Sequence, residues 1–221
     1  MLTRRIRSTL VSLLTLAAVL GLAGLVRAGA PGTRATSDVK VRSEEAAFHD
    51  AMRKLWEDHI TWTRMFIVEF AADSPATEAT AARLLQNQVD IGDAIKSFYG
   101  DEAGDQLTTL LQDHILTAAD LLGAAKAGDQ EAVNAASARW YANANDIAAF
   151  LSSANPDHWP LEEMQSMMRD HLDLTLAEAV ARLQGDFQAD IAAYDQVHGQ
   201  ILEMADMLSA GIVAQFPKAF K

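Results

Sequence analysis

The chain has no cysteine. That excludes disulfides, thiolate zinc sites, iron–sulfur clusters and a cysteine nucleophile together. No run of β-branched residues is long enough for a useful strand; Ile212-Val213 is too brief. Positive charge is scarce, with 18 Lys and Arg against 30 Asp and Glu. So acidic a chain repels phosphate backbones and anionic headgroups, which argues against nucleic acid and lipid surfaces as partners. The familiar catalytic signatures are missing too: no P-loop, no G-x-G-x-x-G after a strand, no G-x-S-x-G and no H-E-x-x-H. The acidic loop at Gly100–Asp105 lacks the ligand spacing of a calcium-binding hand.

What is present begins with a basic start at Arg4, Arg5 and Arg7, followed by an apolar run from Leu10 to Val26 and small residues around Ala28. This is the pattern of a secretory signal peptide over residues 1–28, and it predicts export to the periplasm or medium. The rival reading is a retained anchor, for which the run is at the short edge. Cleavage would remove four arginines and no acid, leaving 14 basic and 30 acidic residues, a net charge of −16. Residues 29–42, rich in Gly, Ala, Thr and Ser, read as a flexible leader. Residues 43–221 read as one domain, long enough to bury a core unaided.

From Ser43 onward apolar residues recur every three to four positions. Glycine followed by aspartate at residues 100–101, 128–129 and 185–186 supplies helix stops and starts, and Pro75 and Pro160 suit first turns. The expected fold is all-α: six helices near 43–72, 75–98, 103–127, 129–153, 160–184 and 186–215, packed antiparallel because their connections are short. A repeat runs through them. Asp58-His59-Ile60, Asp113-His114-Ile115 and Asp170-His171-Leu172 recur at spacings of 55 and 57. Arg83, Asn87, Asp90 and Ile91 recur 56 residues later as Arg139, Asn143, Asp146 and Ile147. The unit is a helical hairpin of about 56 residues.

Helical spacing places His59, His114, His171 and His198 on apolar stripes, with Asn87 and Asn143 between apolar neighbours and Asp90 and Asp146 beside them. Asp195 lies one turn before His198. Burying so many polar groups demands partners. A hydrogen-bonded His/Asn/Asp network is one answer. The other is a transition metal ion held by His59, His114, His171, His198, Asp90, Asp146 and Asp195, since imidazole and carboxylate suit such ions and bundle cores hold them. Asp58, Asp113 and Asp170 would then serve as supporting acceptors. Met164, Met167, Met168, Met204 and Met207 carry thioether sulfur, a copper(I) donor, but methionine at helical spacing is core filler first. Arg64, Arg83, Arg139 and Arg182 are expected to pair with acids on adjacent helices.

The segments Trp56-Glu57-Asp58-His59-Ile60-Thr61-Trp62-Thr63-Arg64, Gln86-Asn87-Gln88-Val89-Asp90-Ile91-Gly92 and Trp140-Tyr141-Ala142-Asn143, with Gln215-Phe216-Pro217 at the end, resemble a family of small exported bacterial proteins. The resemblance extends from about residue 48 to 221 and implies a helical exported protein with no catalytic residue to carry over. Some members bear the labels glycosyltransferase or acetylglutamate kinase. Either activity calls for a strand-containing α/β scaffold, which six alanine-rich helices do not make. The expectation is therefore an exported non-catalytic bundle, structural or binding an envelope protein or small ligand. A metal-binding bundle, up to a metalloenzyme using the same residues, is the alternative, and glycosyl transfer the remote one.

Overall fold

The structure, a computed structural model, describes residues 33–220, with side chains from residue 44. It is all helical: α1 (Thr33–Ala71), α2 (Thr77–Tyr99), α3 (Asp101–Ala127), α4 (Gln130–Ala154), α5 (Leu161–Gln184) and α6 (Phe187–Gln215). Among the described residues there is no strand, and no helix is long and apolar enough to cross a membrane. The proposed signal peptide and residues 29–32 lie outside the described residues. Helix α1 starts at Thr33, ten residues before the expected Ser43, so residues 33–42 of the expected leader continue the helix.

Local chemistry sets the ends. Asp129 and Asp186 accept hydrogen bonds from the backbone N–H of Ala132 and Ala189, at 3.0 and 3.1 Å, and so cap α4 and α6. Gly128 and Gly185 close α3 and α5 in the left-handed region, at φ 71° and 76°. Gly100 alone joins α2 to α3, at φ 86°. Just beyond this joint α2 and α3 nearly touch. A Cβ on Gly92 would lie 2.6 Å from the Gly104 oxygen, and one on Gly104 would lie 2.7 Å from the Gly92 oxygen.

Each helix packs on the next, α6 packs back on α1, and α5 also reaches α1 and α3. The core follows the ring's interior, with Ile60, Leu84, Ile91, Ile147, Leu172, Val197, Ile201 and Ile212 almost fully buried. The C-terminal ends of α2, α4 and α6 meet. Tyr99 donates to Gln215 Oε1 at 2.6 Å, Gln215 donates to the Ala154 carbonyl at 2.9 Å, and buried Asn155 donates to the Gly211 carbonyl at 2.9 Å. Phe48, Phe98 and Phe220 close this end with ring centres 5.2–5.7 Å apart. At the other end Lys126 of α3 donates to the Phe70 carbonyl and pairs with Asp73.

Candidate functional site: a buried imidazole layer

His59 on α1, His114 on α3 and His171 on α5 are 3–4% exposed. Their rings meet in the core. His59 and His171 have centroids 5.8 Å apart, and His114 and His171 are 6.4 Å apart. Each lies on the inner stripe of its helix, where 3.6-residue periodicity puts it among Leu and Ile neighbours.

Each ring is met at Nδ1 by a carboxamide 29 residues further along. His114 Nδ1 lies 2.8 Å from Asn143 Oδ1, and His171 Nδ1 lies 3.0 Å from Gln200 Oε1. With oxygen accepting, Nδ1 carries the hydrogen and Nε2 keeps a lone pair. The same amides reach back by their NH2 groups to the carbonyl one turn before the histidine. Asn143 donates to Leu110 at 3.0 Å and Gln200 donates to Met167 at 3.2 Å. In α1 and α2 two residues share these tasks. Asn87 donates to the Leu55 carbonyl at 3.0 Å, while Gln88 Nε2 faces His59 Nδ1 at 3.3 Å. Gln88 also donates to the Leu84 carbonyl at 2.8 Å and to Asn87 Oδ1 at 3.2 Å, and its buried Oε1 has no partner. The Gln88 amide nitrogen has two hydrogens for three acceptors within reach, and its contact with His59 Nδ1 is the longest of the three, so this copy of the clamp is the loosest. Thr63, Thr117 and Thr175 brace the layer by donating to the carbonyls of His59, His114 and His171.

Burial lowers the basicity of all three rings. The proximity of His171 and His114 lowers His59 further, against a small opposing pull from Gln88. His114 is pushed down to about 3 by burial and by His171, and His171 to about 4 by burial, with Asn143 and Gln200 opposing. The layer is neutral at physiological pH. On one side the rings border a cavity of about 30 Å³, room for one water-sized body, whose other walls include Trp56, Trp159, Met168 and Met204.

The rest of the expected metal set lies elsewhere. His198 is half-buried at the rim of α6, 3.4 Å from Glu57. Asp90 faces Arg83 at 3.5 Å, and Asp146 and Asp195 are exposed. The stripe expected on α6 through Ile191, Tyr194, His198, Ile201 and Ala205 holds at Ile201 and Ala205 but not in its earlier turns. Its inner face is Val197, Ile201, Met204 and Leu208, while Ile191 is 54% exposed. Asp113 and Asp170 are also exposed, and Asp58 pairs with Lys54, so carboxamides, not these acids, orient the rings. Among the described residues no three His, Asp or Glu side chains are grouped to hold a metal ion.

A second polar cluster lies further along α1, α5 and α6. Arg64 bonds Glu178 Oε1 at 2.9 Å and grips both oxygens of Asp190, whose Oδ2 also accepts from Arg182 at 3.3 Å. Both carboxylates are fully buried. Burial pushes the Glu178 carboxyl up to about 7 against the pull of Arg64, and its Oε2 has no partner. Burial would raise Asp190 as well, but Arg64 and Arg182 hold it below the usual carboxylate value. Arg83 and Arg139 pair with Asp58 and Asp120 as the sequence suggests. Close by, an apolar cavity of about 60 Å³ lies between Phe66, Leu84, Leu121 and Leu183.

The residues that sequence reasoning missed are Gln88, Gln200, Glu178 and Asp190. A signal for two of them exists: Gln88, Asn143 and Gln200 follow the same 55 and 57 spacings as the histidines. The fold and layer define an all-helical bundle with a neutral three-imidazole centre. No family model, no curated protein and no solved structure matches the chain.

Proposed function

We propose that this is an exported, non-catalytic helical-bundle protein, and that its histidine–carboxamide layer is an internal lock, setting the register of three antiparallel hairpins derived from one duplicated unit. Its binding or structural role is exercised on its surface, toward an envelope partner. The observation that carries this is the common offset: three imidazoles, each held at Nδ1 by a carboxamide 29 residues on, on α1/α2, α3/α4 and α5/α6. A hydrogen-bond network repeated in three hairpins serves packing, since each copy lacks a nucleophile beside its ring. A space of about 30 Å³ also admits no organic substrate. The resemblance to exported helical proteins and the basic-then-apolar N-terminus support export.

The test is a double-mutant cycle on His114 and Asn143. A lock gives a coupling of about 1 kcal/mol or more between His114→Gln and Asn143→Ala. Additive effects would sink it. Mass spectrometry of the exported protein tests the other half: a chain beginning at Gly29 agrees with export and cleavage, and one retaining residues 1–28 does not.

A further inference from the structure

The two ends of the bundle are finished differently. Phe48, Phe98 and Phe220 fill one end. Toward the other, past the histidines on α1, α3 and α5, a cavity of about 60 Å³ is left. Ala118 and Ala125 on α3 and Ala179 on α5 stand in its wall, where larger side chains would close it. The lining is almost wholly apolar and holds no charged residue. Its two hydroxyls, on Thr63 and Thr175, already donate to the carbonyls of His59 and His171. A water needs several polar partners, so a cavity with this lining stays dry.

Size and shape narrow the choice of occupant. One water needs about 10–15 Å³, whereas an apolar cavity of about 150 Å³ takes benzene. At about 60 Å³ the space is too large for a single water and too small for a ring. Its wall runs from Ile115 to Ala125 on α3 and from Thr175 to Leu183 on α5. At about 1.5 Å per residue these stretches span about 15 and 12 Å, so the volume is drawn out into a narrow bore along the bundle. The bore reaches the surface at Val180, which lines it and is 38% exposed. Across the chain 30 acids outnumber 18 bases, which disfavours an anionic head group outside the mouth.

We propose that this bore takes the end of an unbranched aliphatic chain belonging to an uncharged amphiphile, entering past Val180. Burial of methylenes supplies the affinity, because the wall has little polar to offer. The site is separate from the histidine lock and gives the bundle a small-ligand role beyond it.

The experiment is calorimetric titration, with melting curves, using straight-chain hexanol, octanol and decanol beside cyclohexanol and decanoate. The expected result is one alcohol per chain and a raised melting temperature. Affinity should rise by about threefold to fourfold per methylene until the bore is full, and then level off. Cyclohexanol should bind more weakly than hexanol, and decanoate more weakly than decanol. Ala118→Leu and Ala179→Leu fill the bore from two helices. Each should keep or raise the melting temperature of the free protein. Each should weaken decanol binding by about tenfold or more, the loss of about two buried methylenes. If one variant fails to fold, the other decides. No saturable binding by the folded protein overturns the proposal. So does affinity that climbs with chain length without levelling, the mark of surface adsorption, and so does binding that a folded filler variant leaves unchanged. Decanoate binding as tightly as decanol overturns the choice of an uncharged head group. Absence of alcohol binding with the His114–Asn143 coupling intact leaves the lock standing, and loss of that coupling with alcohol binding intact leaves this site standing.

Discussion

The imidazole layer and the Arg64 cluster are both buried and both span three or more helices, yet one is held by neutral hydrogen bonds and the other by charge. In the layer, carboxamides satisfy Nδ1 of each ring without adding charge. Around Arg64, two buried carboxylates are compensated chiefly by one guanidinium, with Arg182 assisting. Neutral groups withstand burial at any pH that keeps them neutral. Charged groups withstand it only while every partner stays in place. The lesson is that the layer responds to pH with a single sign while the Arg64 cluster is divided. Asp190 loses stability in acid as the rings do, and Glu178 opposes them. Single substitutions also differ in severity between the two regions.

The largest expected effect is acid destabilisation through the layer. The folded-state values of the rings lie below the unfolded value of 6.5, so the unfolded chain takes up protons first. Their contribution is complete above pH 6.5 and is lost as pH falls toward 4 and 3, at about 1.4 kcal/mol per pH unit for each ring. Urea midpoints at pH 8, 6.5 and 5 would read it, and midpoints that stay level would break the contrast. Next comes Arg64→Met, which strands Asp190 and Glu178 in the core and should destabilise by about 3–5 kcal/mol. A loss under 1 kcal/mol in chemical denaturation would show the cluster to be hydrated.

Glu178 sharpens the difference in sign. Its folded value, about 7, lies above the unfolded 4.5. Its contribution is therefore present below pH 4.5 and lost as pH rises through 7. Glu178→Gln should gain on the parent protein by up to about 1.4 kcal/mol per pH unit between pH 5 and 7. A constant difference between the two would mean that Arg64 keeps Glu178 ionised throughout. Glu178 alone opposes the three rings and Asp190, so the net slope in acid follows the histidines. The smallest effect belongs to Asp146→Asn and Asp195→Asn, which should leave stability within about 0.5 kcal/mol because both acids are exposed.

The helices were legible because glycine–aspartate pairs stop and restart them, and because nothing in the sequence competes for strand. The start of α1 was not: residues 33–42 lack an apolar stripe, and the helix continues through them without one. Three histidines could be placed on the inner face from periodicity alone. The fourth, His198, could not, because the early turns of α6 turn Asp190 inward and Ile191 outward, against hydrophobic patterning. Asp190 and Glu178 escaped for a related reason. A charged residue on a helix reads as solvent-facing unless its cation, here Arg64 more than 100 positions away, is known to be opposite. Gln88 and Gln200 were hidden because glutamine usually faces water, although their spacing repeats that of the histidines.

Where α6 returns to α1, the ring is closed by Arg53 with Asp206, 153 positions apart, and by Phe48 against Phe220. Most other helix contacts join neighbours along the chain, so much of the bundle can assemble by short steps. This seam must wait for nearly the whole chain to fold back on itself, and its loop-closure entropy comes due last. Contacts formed after the rate-limiting step govern how fast a protein comes apart, not how fast it assembles. Substitution of Arg53, or of Asp206 six residues past Gln200, in this seam between the first and last helices is therefore expected to speed unfolding more than it slows folding.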